Sequence, residues 1–213
     1  MTTTEGLSVT RKSPDALDPA RRLGGSHGNE QLTAIVATLL LVGLAVEGAT
    51  LLDLERLLGV HAFVGILLIP PVALKLASVA WRMGRFYLGA DEYVRRGPPH
   101  PFLRLVVAPA AVVSTICLFA TGVALLASAR TGGPIVALHK ASFVVWLGAV
   151  GVHVLVRVVR LPGALRRRSP ALWLRLGLVS ISVVAGAAVA TMTLPAVDHL
   201  QDEVSAHVGV DGA

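Results

Sequence analysis

Residues 134–158 read PIVALHKASFVVWLGAVGVHVLVRV, an apolar run of 25 residues that is long enough to cross a membrane as one helix. Within this run His139 and His153 stand fourteen residues apart. Fourteen residues are two heptads, so in a left-handed helix bundle both side chains lie on the stripe that faces the bundle core. The run therefore predicts a membrane helix that presents two imidazoles to its neighbours.

A second apolar run repeats this spacing. Residues 58–81, LGVHAFVGILLIPPVALKLASVAW, carry His61 and Lys75 fourteen residues apart. At about 1.5 Å per residue, the two polar positions of each run are separated by roughly 21 Å along the helix axis. Two helices of this kind predict two polar layers stacked across one bilayer.

Composition places the chain in a membrane. Hydrophobic residues make up 54% of its 213 residues and charged residues 15%, and the mean hydropathy is +0.71, which is typical of membrane-embedded proteins. The net charge of +6 comes from basic residues that lie between the apolar runs. They act there as topology signals, and nucleic acid is excluded as a partner.

The apolar pattern predicts an all-α, polytopic protein whose first four helices form a haem-binding type of bundle. Five runs are long enough to span, at about 31–53, 58–81, 102–128, 134–158 and 171–195. Residues 1–30 are predicted to form a disordered cytoplasmic tail, and residues 196–213 an acidic extracytoplasmic tail.

The basic residues predict the orientation of these spans. Arginine is concentrated before the first run, between the second and third runs and after the fourth, whereas the segment after Pro195 has acids and neither lysine nor arginine. The positive-inside rule then places the N-terminus in the cytoplasm and the C-terminus outside. The excess of arginine over lysine, with abundant Ala, Val, Leu and Gly, favours the plasma membrane of a bacterium with GC-rich DNA.

In this orientation His61 and His139 share a layer near the outer surface. Two imidazoles at one depth on facing helices can ligate one haem iron, and a bis-histidine site favours electron transfer. The chain has one cysteine, Cys117, and no Cys-x-x-Cys-His motif, so such a haem would be held without covalent attachment, as haem b. The competing interpretation is that both histidines are interfacial and face lipid headgroups.

Lys75 and His153 form the corresponding inner layer. Lysine ligates iron only as the neutral amine, which burial would have to favour. The alternative, which we favour, is that Lys75 stays charged and pairs with a haem propionate or reaches the cytoplasmic interface. The sequence thus predicts one haem b and leaves open a second one held by His153.

Three further charged residues are candidates for the site. Glu47, near the outer end of the first run, is predicted either to accept a hydrogen bond from a ligating imidazole or to handle protons at an outer quinone or metal site. It could also be an interfacial acid with little role. Lys140 outside and Arg104 inside are cations suited to haem propionates.

Residues 31–158 resemble the b-type cytochrome and ferric-reductase-like membrane families. The resemblance depends on His61 with Gly65, and on the stretch from Leu138-His139-Lys140 through Trp146 to His153. It implies a four-helix bundle with two stacked haems in which His61, His139 and His153 are axial ligands. Lys75 stands where those families have a fourth histidine.

The predicted function is electron transfer across or within the bacterial plasma membrane. A quinol or a redox partner protein would supply or accept the electrons, and the chain could be the haem subunit of a membrane oxidoreductase. No nucleophile or acid–base constellation is evident, so no catalytic residue is predicted. The alternative is a haem-free scaffold or small transporter, although the chain lacks the internal repeats that transporters tend to show.

Overall fold

The computed structural model describes residues 25–95, 101–129, 132–159, 161–166 and 171–211, and all regular structure in these ranges is helical. A 3₁₀ turn, Leu51–Asp53, joins the first two α-helices, and a π-helical segment, Leu103–Val107, leads into the fourth. The α-helices are α1 Gly25–Thr50, α2 Leu54–Tyr87, α3 Asp91–Val94, α4 Ala108–Ser128, α5 Pro134–Val158, α6 Leu161–Arg166, α7 Leu172–Met192 and α8 Leu194–Asp211.

Four helical stretches of the described chain are long and apolar enough to cross a membrane. They are Gly25–Tyr87, Leu103–Ser128, Pro134–Val156 and Leu172–Met192. The first has 63 residues and contains both α1 and α2, which pack against each other as a helical hairpin. The all-α membrane class is thereby confirmed. The predicted runs 31–53 and 58–81 both lie in this hairpin, and the count of five crossings stays a prediction.

Helices α1, α2 and α7 form a packed three-helix body. Val36 and Leu40 of α1 bury against Leu68 of α2, and Val179 of α7 lies against the same cluster. The close approach of α2 to α7 depends on Gly186, where a Cβ atom would collide with the backbone carbonyl oxygen of Leu67. Small residues of this kind are what allow membrane helices to pack at short range.

The contact at Gly186 also explains how α2 tolerates its two prolines. The helix continues through Pro70 and Pro71, and Pro71 is buried. Because Pro71 has no N–H, the Leu67 carbonyl four residues earlier loses its helical hydrogen bond. One α-hydrogen of Gly186 takes the place that a Cβ atom would have, and it points at this carbonyl oxygen. Cα–H···O contacts of this kind are common between packed helices.

The two ends of the chain differ from the tails predicted from sequence. Helix α1 already begins at Gly25, where Ser26 N and Oγ contact Glu92 Oε1 at 2.9 and 2.7 Å. Residues Leu194–Asp211 form α8, and its Val197 and Leu200 are buried in a core cluster with Ile66 of α2. Residues 196–211 are therefore helical, because apolar positions three residues apart can bury one face. Residues 1–24 lie outside the described ranges.

Helices α4 and α5 form a second hairpin. They pack mainly against each other, and the hairpin meets α2 through α4. Helix α4 ends where Ala129 adopts a left-handed conformation, with φ of 47°. The outer face of α5 is apolar and open, with Val144 68% and Leu155 74% exposed. This face is compatible with contact to lipid.

Candidate functional site

His61 lies on α2 and His139 on α5. Each is half-buried, and each belongs to a different hairpin of the fold. Within the described chain, α2 packs on α1, α4, α7 and α8, while α5 packs on α4, α6 and the π-helical segment. The two histidine-bearing helices are thus joined chiefly through α4.

The His61 imidazole is held by the last turn of α1. Its Nδ1 lies 2.9 Å from Thr50 Oγ1 and 3.2 Å from Glu47 Oε1. Thr50 is 3% exposed, and its hydroxyl is 2.6 Å from the Glu47 backbone carbonyl oxygen. Glu47 thus lies where it can accept a hydrogen bond from this imidazole, which is the first of the two roles considered for it.

The His139 imidazole is held in the same way by α4. Its Nδ1 lies 2.9 Å from Oγ1 of Thr121, a residue that is 8% exposed. The Thr121 hydroxyl is 2.7 Å from the Cys117 carbonyl oxygen and 3.0 Å from that of Leu118. Both histidines therefore use Nδ1 to contact a buried threonine on the neighbouring helix.

Two glycines make room for these contacts. A Cβ atom at Gly122 would lie 3.3 Å from Cε1 of His139, and one at Gly65 would lie 3.2 Å from Oε1 of Glu47. Both distances are tighter than ordinary side-chain contacts. Any larger residue at these positions would have to push the imidazole or the carboxyl group aside.

Glu47 has one polar atom that the rest of the site leaves unsatisfied. Its Oε2 is buried, and within the described part of the chain no hydrogen-bond partner reaches it. Buried polar atoms are normally paired, so an orphaned carboxyl oxygen calls for a partner that the protein itself does not supply. The atom belongs to the residue that contacts His61, so the unsatisfied group is part of the outer layer.

The inner layer looks different. Lys75 Nζ donates to the Thr33 carbonyl oxygen at 2.7 Å, and Thr33 Oγ1 is 3.0 Å from Ser78 Oγ. These contacts place Lys75 in the interface of α1 with α2, whereas His153 is half-buried on α5. This hydrogen bond engages the Lys75 amine with the backbone of α1.

The two cations proposed for haem propionates lie elsewhere. The Arg104 guanidinium donates to the Tyr87 hydroxyl and stacks over the Tyr87 and Phe86 rings at 5.1 and 5.8 Å. Arginine with aromatic rings is typical of a membrane–water interface. Lys140 is exposed next to His139 in the chain. The structure gives neither cation a contact with the two outer histidines.

A cavity of about 280 Å³ lies between α4 and α5. Ser114 and Cys117 line it from α4, and Leu138 and Ser142 line it from α5. Cys117 is one helical turn from Thr121, and Leu138 and Ser142 flank His139 in the sequence. The cavity is therefore close to the outer layer along both helices.

Sequence reasoning missed Thr50 and Thr121. Threonine is common in membrane helices, where its hydroxyl usually bonds to its own helix. A signal for these two residues is their position in the sequence. Thr50 lies toward the end of the run that precedes the one with His61, and Thr121 lies toward the end of the run that precedes the one with His139. Helices joined by short connections are antiparallel neighbours, so these ends lie beside the histidines.

The described residues contain no cluster of three or more His, Cys, Asp and Glu side chains that could hold a metal ion. A haem iron needs only two protein ligands, so this finding is consistent with the proposal made below. Comparison with known protein families, curated proteins and solved structures finds no match to this chain. The resemblance to b-type cytochromes therefore stays a prediction.

Proposed function

We propose that this chain is a membrane-bound b-type cytochrome that transfers electrons through non-covalently held haem b, with His61 and His139 as axial ligands. The observation that carries the proposal is that the imidazoles of His61 and His139 are each engaged at Nδ1 by a threonine of the neighbouring helix. Nε2 is then the nitrogen left for a ligand, and a second hydrogen bond that orients the ring is the usual companion of metal-bound histidine.

The residues present fit a haem group. Two imidazoles on helices that are joined only indirectly can approach a flat macrocycle from opposite sides. Gly122 and Gly65 keep side chains away from the His139 ring and the Glu47 carboxyl group. The buried Oε2 of Glu47 supplies a polar atom in need of a partner.

When bound, haem iron would supply the one-electron redox couple. The protein's part would be to hold the haem through the imidazoles of His61 and His139, an arrangement suited to electron transfer. Thr50 and Thr121 orient the two rings.

One haem is the number that the contacts support best. Lys75 is engaged by the Thr33 carbonyl and lies between α1 and α2. His153 would therefore need another partner to hold a second haem. We assign Lys75 a structural role at the inner end of the bundle.

The remaining parts of the proposal concern topology and partners. Five crossings, with the N-terminus in the cytoplasm of a bacterium, follow from the apolar runs and the arginine distribution. A quinol or a redox protein is the proposed electron partner. The cavity beside Ser142 and Leu138 gives an apolar ligand such as a quinol ring a place near His139.

Absorption spectra of the purified protein, oxidised and dithionite-reduced, test the proposal. We expect a Soret band and sharp α and β bands on reduction, at about one haem per chain. His139→Ala should remove this signal, and His199→Ala, which changes an exposed histidine on α8, should leave it unchanged. A featureless visible spectrum in a protein reconstituted with haem would favour the haem-free scaffold or transporter instead.

A further inference from the structure

We infer that Thr50 and Thr121 are positioning residues that hold His61 and His139 in the tautomer with the proton on Nδ1, which leaves the lone pair on Nε2. The pairing is the same at both ends of the layer, with 2.9 Å between threonine Oγ1 and histidine Nδ1 in each case. The inference rests on the proposed function for its consequence at iron, but the tautomer itself is a property of the protein.

The direction of each hydrogen bond follows from proton counting. A threonine hydroxyl has one proton to donate and two lone pairs with which to accept. Thr50 Oγ1 is 2.6 Å from the Glu47 carbonyl oxygen, and Thr121 Oγ1 is 2.7 Å from the Cys117 carbonyl oxygen. Carbonyl oxygens only accept, so each hydroxyl proton is used within its own helix. The same oxygen must then accept from the imidazole, which places the proton on Nδ1.

A second group acts in the same sense at the His61 ring. Glu47 Oε1, 3.2 Å from His61 Nδ1, is a further acceptor for the His61 proton. Each imidazole thus has an acceptor at Nδ1. In a neutral imidazole one nitrogen is protonated and the other bears the lone pair, so both rings offer Nε2 to a metal.

Nitrogen-15 NMR of histidine-labelled protein without haem tests the tautomers directly, because a protonated ring nitrogen and one with a lone pair have well-separated chemical shifts. Signals are assigned with His61→Ala and His139→Ala. We expect protonated Nδ1 in both rings of the wild-type chain. Thr121→Val should give His139 a mixture of tautomers, because its Nδ1 loses the threonine acceptor, and should leave His61 unchanged.

The matched control is Thr115→Val. Thr115 is on the same helix and makes the same contact to a carbonyl four residues earlier, 2.6 Å from Ala111 O, but it does not contact a histidine. Thr115→Val should therefore leave both tautomers as in the wild type. Protonated Nε2 in the wild type, or a Thr121→Val spectrum identical to that of Thr115→Val, would overturn the inference.

Haem titration measures the consequence for binding. Loss of a group that orients a ligating histidine typically weakens metal binding by about 10–100-fold, and we expect a loss in this range for Thr121→Val. Thr121→Ser, which keeps the hydroxyl, should restore affinity and the oxidised-state EPR signature. Wild-type affinity in Thr121→Val would contradict the assigned role. If the wild type shows the expected tautomers but binds no haem, the proposed function fails and the tautomer assignment stands.

Discussion

Replacing Gly186 with alanine should destabilise the protein by more than any other single added methyl group on α7. The new Cβ would collide with the Leu67 carbonyl oxygen and lie 3.0 Å from its carbonyl carbon. Because these atoms belong to the backbone of α2, no side-chain rotation relieves the overlap. The helices must separate, and the contact to the carbonyl that Pro71 leaves without a helical partner is lost.

The size of the effect can be estimated from two opposing contributions. Overpacking costs about 1–3 kcal/mol, and a clash with backbone belongs at the upper end, about 3 kcal/mol. Replacing glycine by alanine within a helix stabilises that helix by up to about 1 kcal/mol. The net loss of about 2 kcal/mol corresponds to a melting temperature lower by about 4–8 °C for a chain of this length.

Thermal unfolding of the purified protein in detergent, followed by circular dichroism, measures this loss. Gly177→Ala is the matched control, since Gly177 lies on the same helix and a Cβ atom there meets nothing within 4 Å. The control should melt at the wild-type temperature or slightly above it. Equal melting temperatures for the two variants would refute the close contact between α2 and α7.

Two further variants probe the layers of the bundle. Gly122→Ala should weaken haem binding on the order of tenfold in a haem titration, because the added methyl group presses on the imidazole of α5. Gly148→Ala, where a Cβ atom meets nothing within 4 Å, should match the wild type, and equal affinities in the two variants would contradict the crowding. Lys75→Met should leave the reduced haem spectrum unchanged while it lowers stability by about 1 kcal/mol through the lost hydrogen bond. A changed α band in this variant would instead identify the lysine as an iron ligand.

Much of the helical framework could be predicted from hydropathy, because burying a backbone in lipid leaves long apolar helices as the main solution. Helix α2 runs through Pro70 and Pro71, although proline within a helix removes a backbone hydrogen bond. Gly186, whose contribution depends on a helix more than a hundred residues away, could not be identified from the local pattern.

The C-terminal helix shows the limit of reading hydropathy alone. Residues 196–213 were predicted to be an acidic tail, and α8, Leu194–Asp211, mixes acids and histidines with apolar residues. Val197 and Leu200 of this helix are buried in the core beside Ile66. Two apolar positions on one face are a weak signal without knowledge of the surface that they meet.

The candidate ligands could be proposed from the sequence and stay a prediction, whereas the threonines that contact them could not be proposed. His61 and His139 could be proposed because an ionisable group within an apolar run is unusual. Thr50 and Thr121 carry no such signal, because a threonine hydroxyl that donates to a carbonyl of its own helix can lie in lipid at little cost in free energy. Their role depends on a contact with a histidine of the neighbouring helix, and the spacing of residues within one apolar run does not predict contacts between helices.

The contact between Gly186 and Leu67 affects the order in which the protein can assemble during synthesis. It joins positions 119 residues apart in the chain, and the hairpin that carries His139 is made between them. As the ribosome proceeds from the N-terminus, both histidines have entered the bilayer before α7 arrives to complete the body around α2. For the proposed haem protein, we expect haem insertion to be a late event on the finished polypeptide, so that chains truncated before residue 172 lack the haem spectrum.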